Sequence, residues 1–282
     1  MSKTKDRIRS SQLGYRHELG QNFIYDEALL DALAEASGVG AEYDVLEIGP
    51  GMGTLTQALC RRARRVRAVE LDARLIPLLS AYLEQYPNFS LVQGDVMQTD
   101  LAELTAPLEK PFSVVANIPY YITTPLITRL LSCGLPMKSL SLMVQREVAD
   151  KLLSGPGQEG WGPLAIRCQY LCEPRLALEV PAACFTPPPK VDSAFVVMPL
   201  RATPAVQPLD ETAFFRVVGA AFSLRRKTLV NALCATLRLE HAEGAALAAA
   251  AGLPEKVRGE QLSLADFARL SDAYTHYCEK SD

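Results

Sequence analysis

Histidine and tryptophan are nearly absent from this chain. Its 282 residues hold three histidines (His17, His241 and His276) and one tryptophan. So few imidazoles, and no His/Cys cluster, leave nothing to build a catalytic or structural metal site, and no metal is expected. The seven cysteines, at 60, 133, 168, 172, 184, 234 and 278, form no C-x-x-C pair. Cys168 and Cys172 fall on one helix face, but no further ligand completes a zinc set. An odd, scattered cysteine count suits a reducing compartment, so a cytoplasmic protein is expected. There is no run of about 18 apolar residues and no apolar stretch near the start, which excludes a membrane span or secretory leader from the reading. Net positive charge is lacking too: the balance is -3, with a pI of about 5.8. Any contact with a polyanion must therefore come from local patches. Internal repeats are absent, which excludes a solenoid.

Apolar residues make up 49% of the chain, enough for a sizeable core. The length points to one large domain plus a small one. Local basic patches do occur: Lys3, Lys5, Arg7 and Arg9; Arg61, Arg62, Arg64, Arg65 and Arg67; and Arg225, Arg226 and Lys227. Each reads equally as a solvated helix face.

Along the chain, "DEALLDALAEASGV" has apolar residues at helical spacing, with Asp26 as its N-cap. "DVLEIG", "RVRAVELD", "FSLVQGD", "FSVVANI" and "SLSLMV" are strand candidates that alternate with helical patterns. Between the last two, "TTPLITRLLSCG" is a helix with Pro125 in its first turn. This alternation predicts a doubly wound, mostly parallel α/β sheet of Rossmann-like type. "LALEV" and "SAFVVMPL" are expected to close it as an antiparallel hairpin, joined by the stiff "FTPPPKVD". "SGPGQEGWGPL" (154–164) reads as a mobile loop. "RATPAVQPLD" reads as a linker into a small all-α domain. The expected domains are residues 1–202 and 203–282.

"LEIGPGMGTLT" places Gly49, Gly51 and Gly53 between a strand and a helix, where glycine lets the backbone turn sharply and approach a ligand. Ligands of open α/β sheets bind at the carboxyl ends of the strands. Glu70 ends the next strand, suited to two ribose hydroxyls. Asp95 follows the third, suited to an adenine edge. Each acid reads alternatively as a helix cap, and Asp72 competes with Glu70 for that role. A dinucleotide and S-adenosylmethionine both fit. The G-x-G-x-G spacing, rather than G-x-G-x-x-G over a pyrophosphate, favours S-adenosylmethionine.

"VVANIPYYITTPL" (114–126) ends a buried strand with an amide, a proline and two tyrosines. A flat base carrying an exocyclic amine accounts for this. The Asn117 oxygen and the Ile118 carbonyl accept its two N–H groups, Pro119 stiffens the turn, and Tyr120 stacks on the base. The plain alternative is a turn-forming Asn with both rings in the core. Core packing is the expectation for Tyr121.

With "LGQNFIYDEALL", "VLEIGPGMGTLT", "AVELD", "GDV", "VVANIPYYITTPLI", "LMVQREVADKL", "FTPPPKVDSAFV" and "FFRVVGAAFSLRRKTLVNAL" in order, nearly the whole chain resembles the ribosomal RNA adenine dimethyltransferase family. The resemblance implies a class I S-adenosylmethionine-dependent fold with a helical C-terminal rRNA-binding domain. Asn22 and the Ile24 backbone would close over the cofactor, with Gly49 at its methionine part, Glu70 at its ribose, Asp95 at its adenine and Asn117 beside the target amine. Phe185 would form the second aromatic wall of the base pocket; the alternative is hinge packing. Arg225, Arg226 and Lys227, and the 61–67 segment, would grip RNA backbone. The implied partner is 16S rRNA in the small subunit or its precursor, methylated at N6 of two adjacent adenosines near its 3′ end by a monomeric enzyme, in support of subunit biogenesis. Rivals are a macrolide-resistance type acting on 23S rRNA, a DNA adenine methyltransferase, and a non-catalytic rRNA-binding assembly factor. Pro163 and Glu18 depart from the family pattern and put RNA contact by their segments in doubt.

Overall fold

A computed structural model describes residues 21–224 and 226–281. The expectations on Lys3, Lys5, Arg7, Arg9, Glu18 and Arg225 lie outside these residues.

The first compact unit comprises the described residues up to Ala149 together with Glu173–Leu200. Its centre is a seven-stranded sheet. In chain order the elements as far as β9 are β1 (Phe23–Ile24), α1 (Glu27–Ala36), β2 (Asp44–Ile48), α2 (Thr54–Cys60), β3 (Arg65–Glu70), α3 (Ile76–Leu83), β4 (Phe89–Gln93), α4 (Leu101–Thr105), β5 (Phe112–Asn117), α5 (Thr123–Ser132), β6 (Met137–Gln145), α6 (Arg146–Leu153), α7 (Pro163–Leu171), β7 (Arg175–Val180), β8 (Phe185–Thr186) and β9 (Ser193–Pro199), of which α7 and the end of α6 fall in the second unit. Strand order in the sheet is β4-β3-β2-β5-β6-β9-β7. The pairs from β4 to β6 are parallel, and β9 lies antiparallel between β6 and β7.

The local signals explain these elements. Every residue of β2 is buried, as expected for a parallel strand covered on both faces. Asp26 caps α1, its carboxylate accepting from the Ala28 and Leu29 amides. That helix buries Leu30, Leu33 and Ala34 against Leu59, Val45 and Val115 in one apolar cluster. Each such leucine contributes roughly 2 kcal/mol by leaving water. From β2 the chain winds outward through β3 and β4 on one side, then returns to β5 and β6 on the other. The switch point therefore lies between β2 and β5, and the carboxyl ends of these two strands carry the glycine loop and Asn117. A separate two-stranded ribbon pairs β1 with β8, setting Phe23 opposite Thr186 and Ile24 opposite Phe185.

The second unit gathers Asp150–Cys172 and the described residues from Arg201 onward. Its helices include α8 (Glu211–Ser223), α9 (Leu229–Leu237), α10 (His241–Ala250) and α11 (Leu264–Ser281). This division differs from the expected boundary between 202 and 203, because residues 150–172 belong with the helices. The reason is apolar burial. Trp161, Ile166 and Tyr170 share one core with Phe214, Phe267 and Leu270, and the Tyr170 ring stacks on Phe214 at 4.9 Å. The 154–164 stretch is likewise not a loose loop. Trp161 is buried and its indole N–H donates to the Leu262 carbonyl at 2.9 Å. Pro163 opens α7, where its missing N–H costs nothing.

The arginine-rich segment serves the fold. Arg61 and Arg62 pair with Asp31 at 2.6 and 3.3 Å. Arg64 pairs with Asp44 at 2.8 Å and also with Glu109, and Arg65 donates to the Pro107 carbonyl. Four of the five cations thus have partners within the unit, although the Arg61, Arg62 and Arg64 side chains stay 44%, 29% and 38% exposed.

Candidate active site

At the end of β2 the chain turns through Gly49, Gly51 and Gly53, all with positive φ (69°, 58° and 75°). Two of these glycines matter for different reasons. A side chain at Gly51 would drive its Cβ to 2.7 Å from the Phe23 ring, so glycine lets that ring close on the loop. A Cβ at Gly49 would meet only the Asn117 carbonyl oxygen, at 4.0 Å. Gly49 therefore faces open space, and its backbone is accessible to a ligand.

Glu70 ends β3 at 6% exposure. Its Oε2 accepts from the Gly51 amide at 3.0 Å and its Oε1 from the Asp72 amide at 2.8 Å. Burial raises its pKa, while these amides hold it back toward the ionised form. Each oxygen keeps a second lone pair for a hydroxyl donor. Asp95 is similarly fixed, accepting from the Met97 amide at 2.8 Å and from Gln98 Nε2 at 3.0 Å. Asp72 is not a helix cap, since Leu75 holds the N-cap position of α3. Instead it pairs with Arg74 at 2.6 Å and accepts from Gln21 Nε2 at 3.1 Å. The Arg74 guanidinium holds its carboxyl down at about 2.

At the end of β5, Asn117 Nδ2 donates to the Asn22 carbonyl at 3.2 Å. This use of the amide nitrogen leaves Oδ1 as the acceptor. Tyr120 is half-buried, and its hydroxyl shares a 2.7 Å hydrogen bond with Ser193 Oγ. Burial raises its pKa. Tyr121 does not pack in the core: it is 60% exposed.

These groups line one cleft of about 1160 Å³, its open mouth included, with Gln21, Asn22, Glu47, Gly49, Glu70, Asp95, Asn117, Ile118 and Tyr120 among its walls. The structure thus brings together all the expected cofactor and base residues except Ile24 and Phe185. Ile24, expected there through its backbone, is buried at 2% within β1 next to Phe23 and is not among the lining residues. Phe185 is 3% exposed and packs in the apolar cluster with Ile24, Val180 and Phe195. Pairing of β8 with β1 turns its ring into the core, so the expected second wall of the base pocket is not formed by Phe185 here. Arg226 and Lys227 are exposed in the turn between α8 and α9.

Phe23, Leu71 and Glu47 are among the lining residues that were missed. Phe23 lies over the glycine loop and Leu71 directly follows Glu70. Glu47 is fully buried, and no described residue partners its Oε2. Burial, with Glu70 nearby, pushes Glu47 up to about 8. An acid just before the glycines was the available signal. The cleft's described lining holds three acids (Glu47, Glu70 and Asp95) and no Lys, Arg or His. With no cation to meet a pyrophosphate, and with Glu70 and Asp95 as its acids beside a Glu47 that burial keeps mostly protonated near neutral pH, the lining suits a cationic nucleoside.

The cleft's chemistry agrees with what is known of similar proteins. Residues 13–276 match the family described as ribosomal RNA adenine dimethylase. A ribosomal RNA small subunit methyltransferase A from Shouchella clausii is 42% identical over 275 residues, covering 95% of this chain and 92% of that protein. One from Clostridium perfringens is 41% identical, covering 98% and 96%. Among solved structures, a dimethyladenosine transferase from Plasmodium falciparum superposes with a TM-score of 0.77 at 25% identity, covering 92% of this chain and 98% of that one. The 23S rRNA methyltransferase ErmE gives 0.70 at 27%, covering 89% and 99%. With the family matched over most of its length, and relatives above 40% identity along nearly all of it, this chain belongs to the ribosomal RNA adenine dimethylase family.

Proposed function

We infer that this chain is an S-adenosylmethionine-dependent rRNA (adenine-N6,N6)-dimethyltransferase, acting on two adjacent adenosines of 16S rRNA in the small ribosomal subunit or its precursor. The observation that carries this reading is the turn Asn117–Tyr120, opening at the switch point into a cleft lined by acids. Glu70 would hold the ribose, Asp95 the adenine edge, and the open backbone at Gly49 the methionine part. When bound, S-adenosylmethionine supplies a methyl group on positively charged sulfur, and the acid lining favours that charge.

The protein's own task is then positioning. Asn117 Oδ1 and the Ile118 carbonyl accept the two N–H groups of the adenine amine, which turns its lone pair outward. Tyr120, pinned by Ser193, offers a fixed face for the base. No strong base is needed: the methylated nitrogen is acidic enough to release its proton to water. Alignment of this kind can supply much of a transfer rate. The target must leave its stack to reach the turn. The helical unit, with Arg225, Arg226 and Lys227, would hold rRNA backbone, and the enzyme would work as a cytoplasmic monomer.

The 23S reading is the weaker one: ErmE shares the fold at 27% identity, whereas proteins named for the small subunit reach 42%. An assembly factor without catalysis would have no use for an open acid-lined cleft. The test is tritiated methyl transfer to small subunits lacking the mark, with primer extension to map the modified bases. Asn117→Ala should lower the transfer rate roughly 10²- to 10³-fold, with cofactor affinity by calorimetry within about tenfold of wild type. Full activity in that variant would remove the amine-acceptor role.

A further inference from the structure

Tyr120 and Tyr121 are consecutive residues of one 3₁₀ turn, Tyr120–Ile122. Side chains of neighbours in such a turn point about 120° apart, so the two rings cannot serve the same base. Tyr120 is turned inward and tied to Ser193. Tyr121 is turned out: it is 60% exposed, and no hydrogen bond, ion pair or ring contact engages it among the described residues. It is also the one aromatic among the large apolar side chains left exposed in the described residues, and it lies on the lining of the cleft. An aromatic ring that the fold does not use, held on a turn begun by Pro119 at the cleft mouth, is a platform without an occupant inside the protein.

We propose that Tyr121 stacks on the nucleotide flanking the target adenosine in the RNA strand, so that two consecutive tyrosines hold two consecutive bases, one inside the cleft and one at its rim. This deepens the reading above and rests on it. Stacking needs only a flat π-face, so the rim would accept the second adenine while the first is in place, and the first after its methylation. Tyr121 is thereby a substrate-positioning residue: it sets how the strand is held and leaves the amine's chemistry to Asn117.

The experiment compares wild type, Tyr121→Ala and Tyr121→Phe for methyl transfer to unmodified small-subunit particles, with cofactor affinity measured by calorimetry. Tyr121→Ala should raise KM for the particle roughly five- to hundredfold, the range expected for one lost base stack, with kcat within about threefold. Tyr121→Phe should keep wild-type KM, because the ring and not the hydroxyl is used. Cofactor affinity should be unchanged in both. An unchanged KM in Tyr121→Ala, an equal loss in Tyr121→Phe, or a loss of cofactor binding would each overturn the proposal while wild-type activity stands. A wild type that methylates no small-subunit RNA would instead overturn the reading beneath it.

Discussion

Glu47 shows how much one side chain's surroundings decide. It sits at 1% exposure beneath a cleft that already holds Glu70 and Asp95. Burial lifts its pKa to about 8, whereas a carboxyl in an unfolded chain titrates near 4.3. Between these values the folded protein keeps a proton that the unfolded chain has released. Stability from this group therefore falls as pH rises through that window and is constant outside it. Glu47→Gln, which stays neutral at all pH values, should remove the slope. The difference in unfolding free energy between variant and wild type should shift by on the order of a few kcal/mol in the variant's favour between pH 4 and pH 9. Denaturant titrations at both ends of the range measure this, and parallel profiles would mean that Glu47 is ionised in the native state. Glu70 differs for a local reason: two backbone amides face its oxygens, so it carries its charge at lower cost.

Among the elements, the segment between α6 and α7 departs most from its sequence signature. "SGPGQEGWGPL" has four glycines and two prolines, the composition of a free loop. It is held because Trp161 is buried with Phe267 and Leu270 and donates to a carbonyl about a hundred residues away. Trp161→Phe keeps most of the ring and loses the N–H, leaving the Leu262 carbonyl without that donor. The expected cost is about 1–2 kcal/mol, read as a lower urea midpoint with unchanged slope. An unaltered midpoint would show that ring burial alone pins the segment. The β1–β8 ribbon is another element that local pattern does not reveal. Two residues on each side suffice to place Phe23 over Gly51 and to bury Phe185.

At the scale of the molecule, a net charge of -3 must coexist with binding to a polyanion. Most of the 61–67 cations are partly neutralised by partners within the fold, whereas Arg226 and Lys227 are exposed in a turn of the helical unit and are the ones to test for the proposed phosphate contact. Replacing both with Ala should reduce the slope of log K against log salt for RNA binding by roughly one per lost contact, while cofactor affinity stays unchanged. An unaltered slope would place the phosphate contacts elsewhere. Much of this molecule was legible in its residues. Alternating apolar runs and helical stretches define the strands and put Gly49, Glu70, Asp95 and Asn117 at or just beyond their carboxyl ends. Period and turn chemistry act over a few residues, so sequence alone determined the doubly wound fold and which residues stand at the carboxyl ends of its strands. Tertiary structure alone decided the rest: that Arg61 meets Asp31, that Tyr120 is pinned by Ser193 while Tyr121 stands free, that Phe185 faces the core, and that residues 150–172 join the helical unit. Each of these depends on partners far apart along the chain, where burial and charge pairing are settled only when the whole core closes.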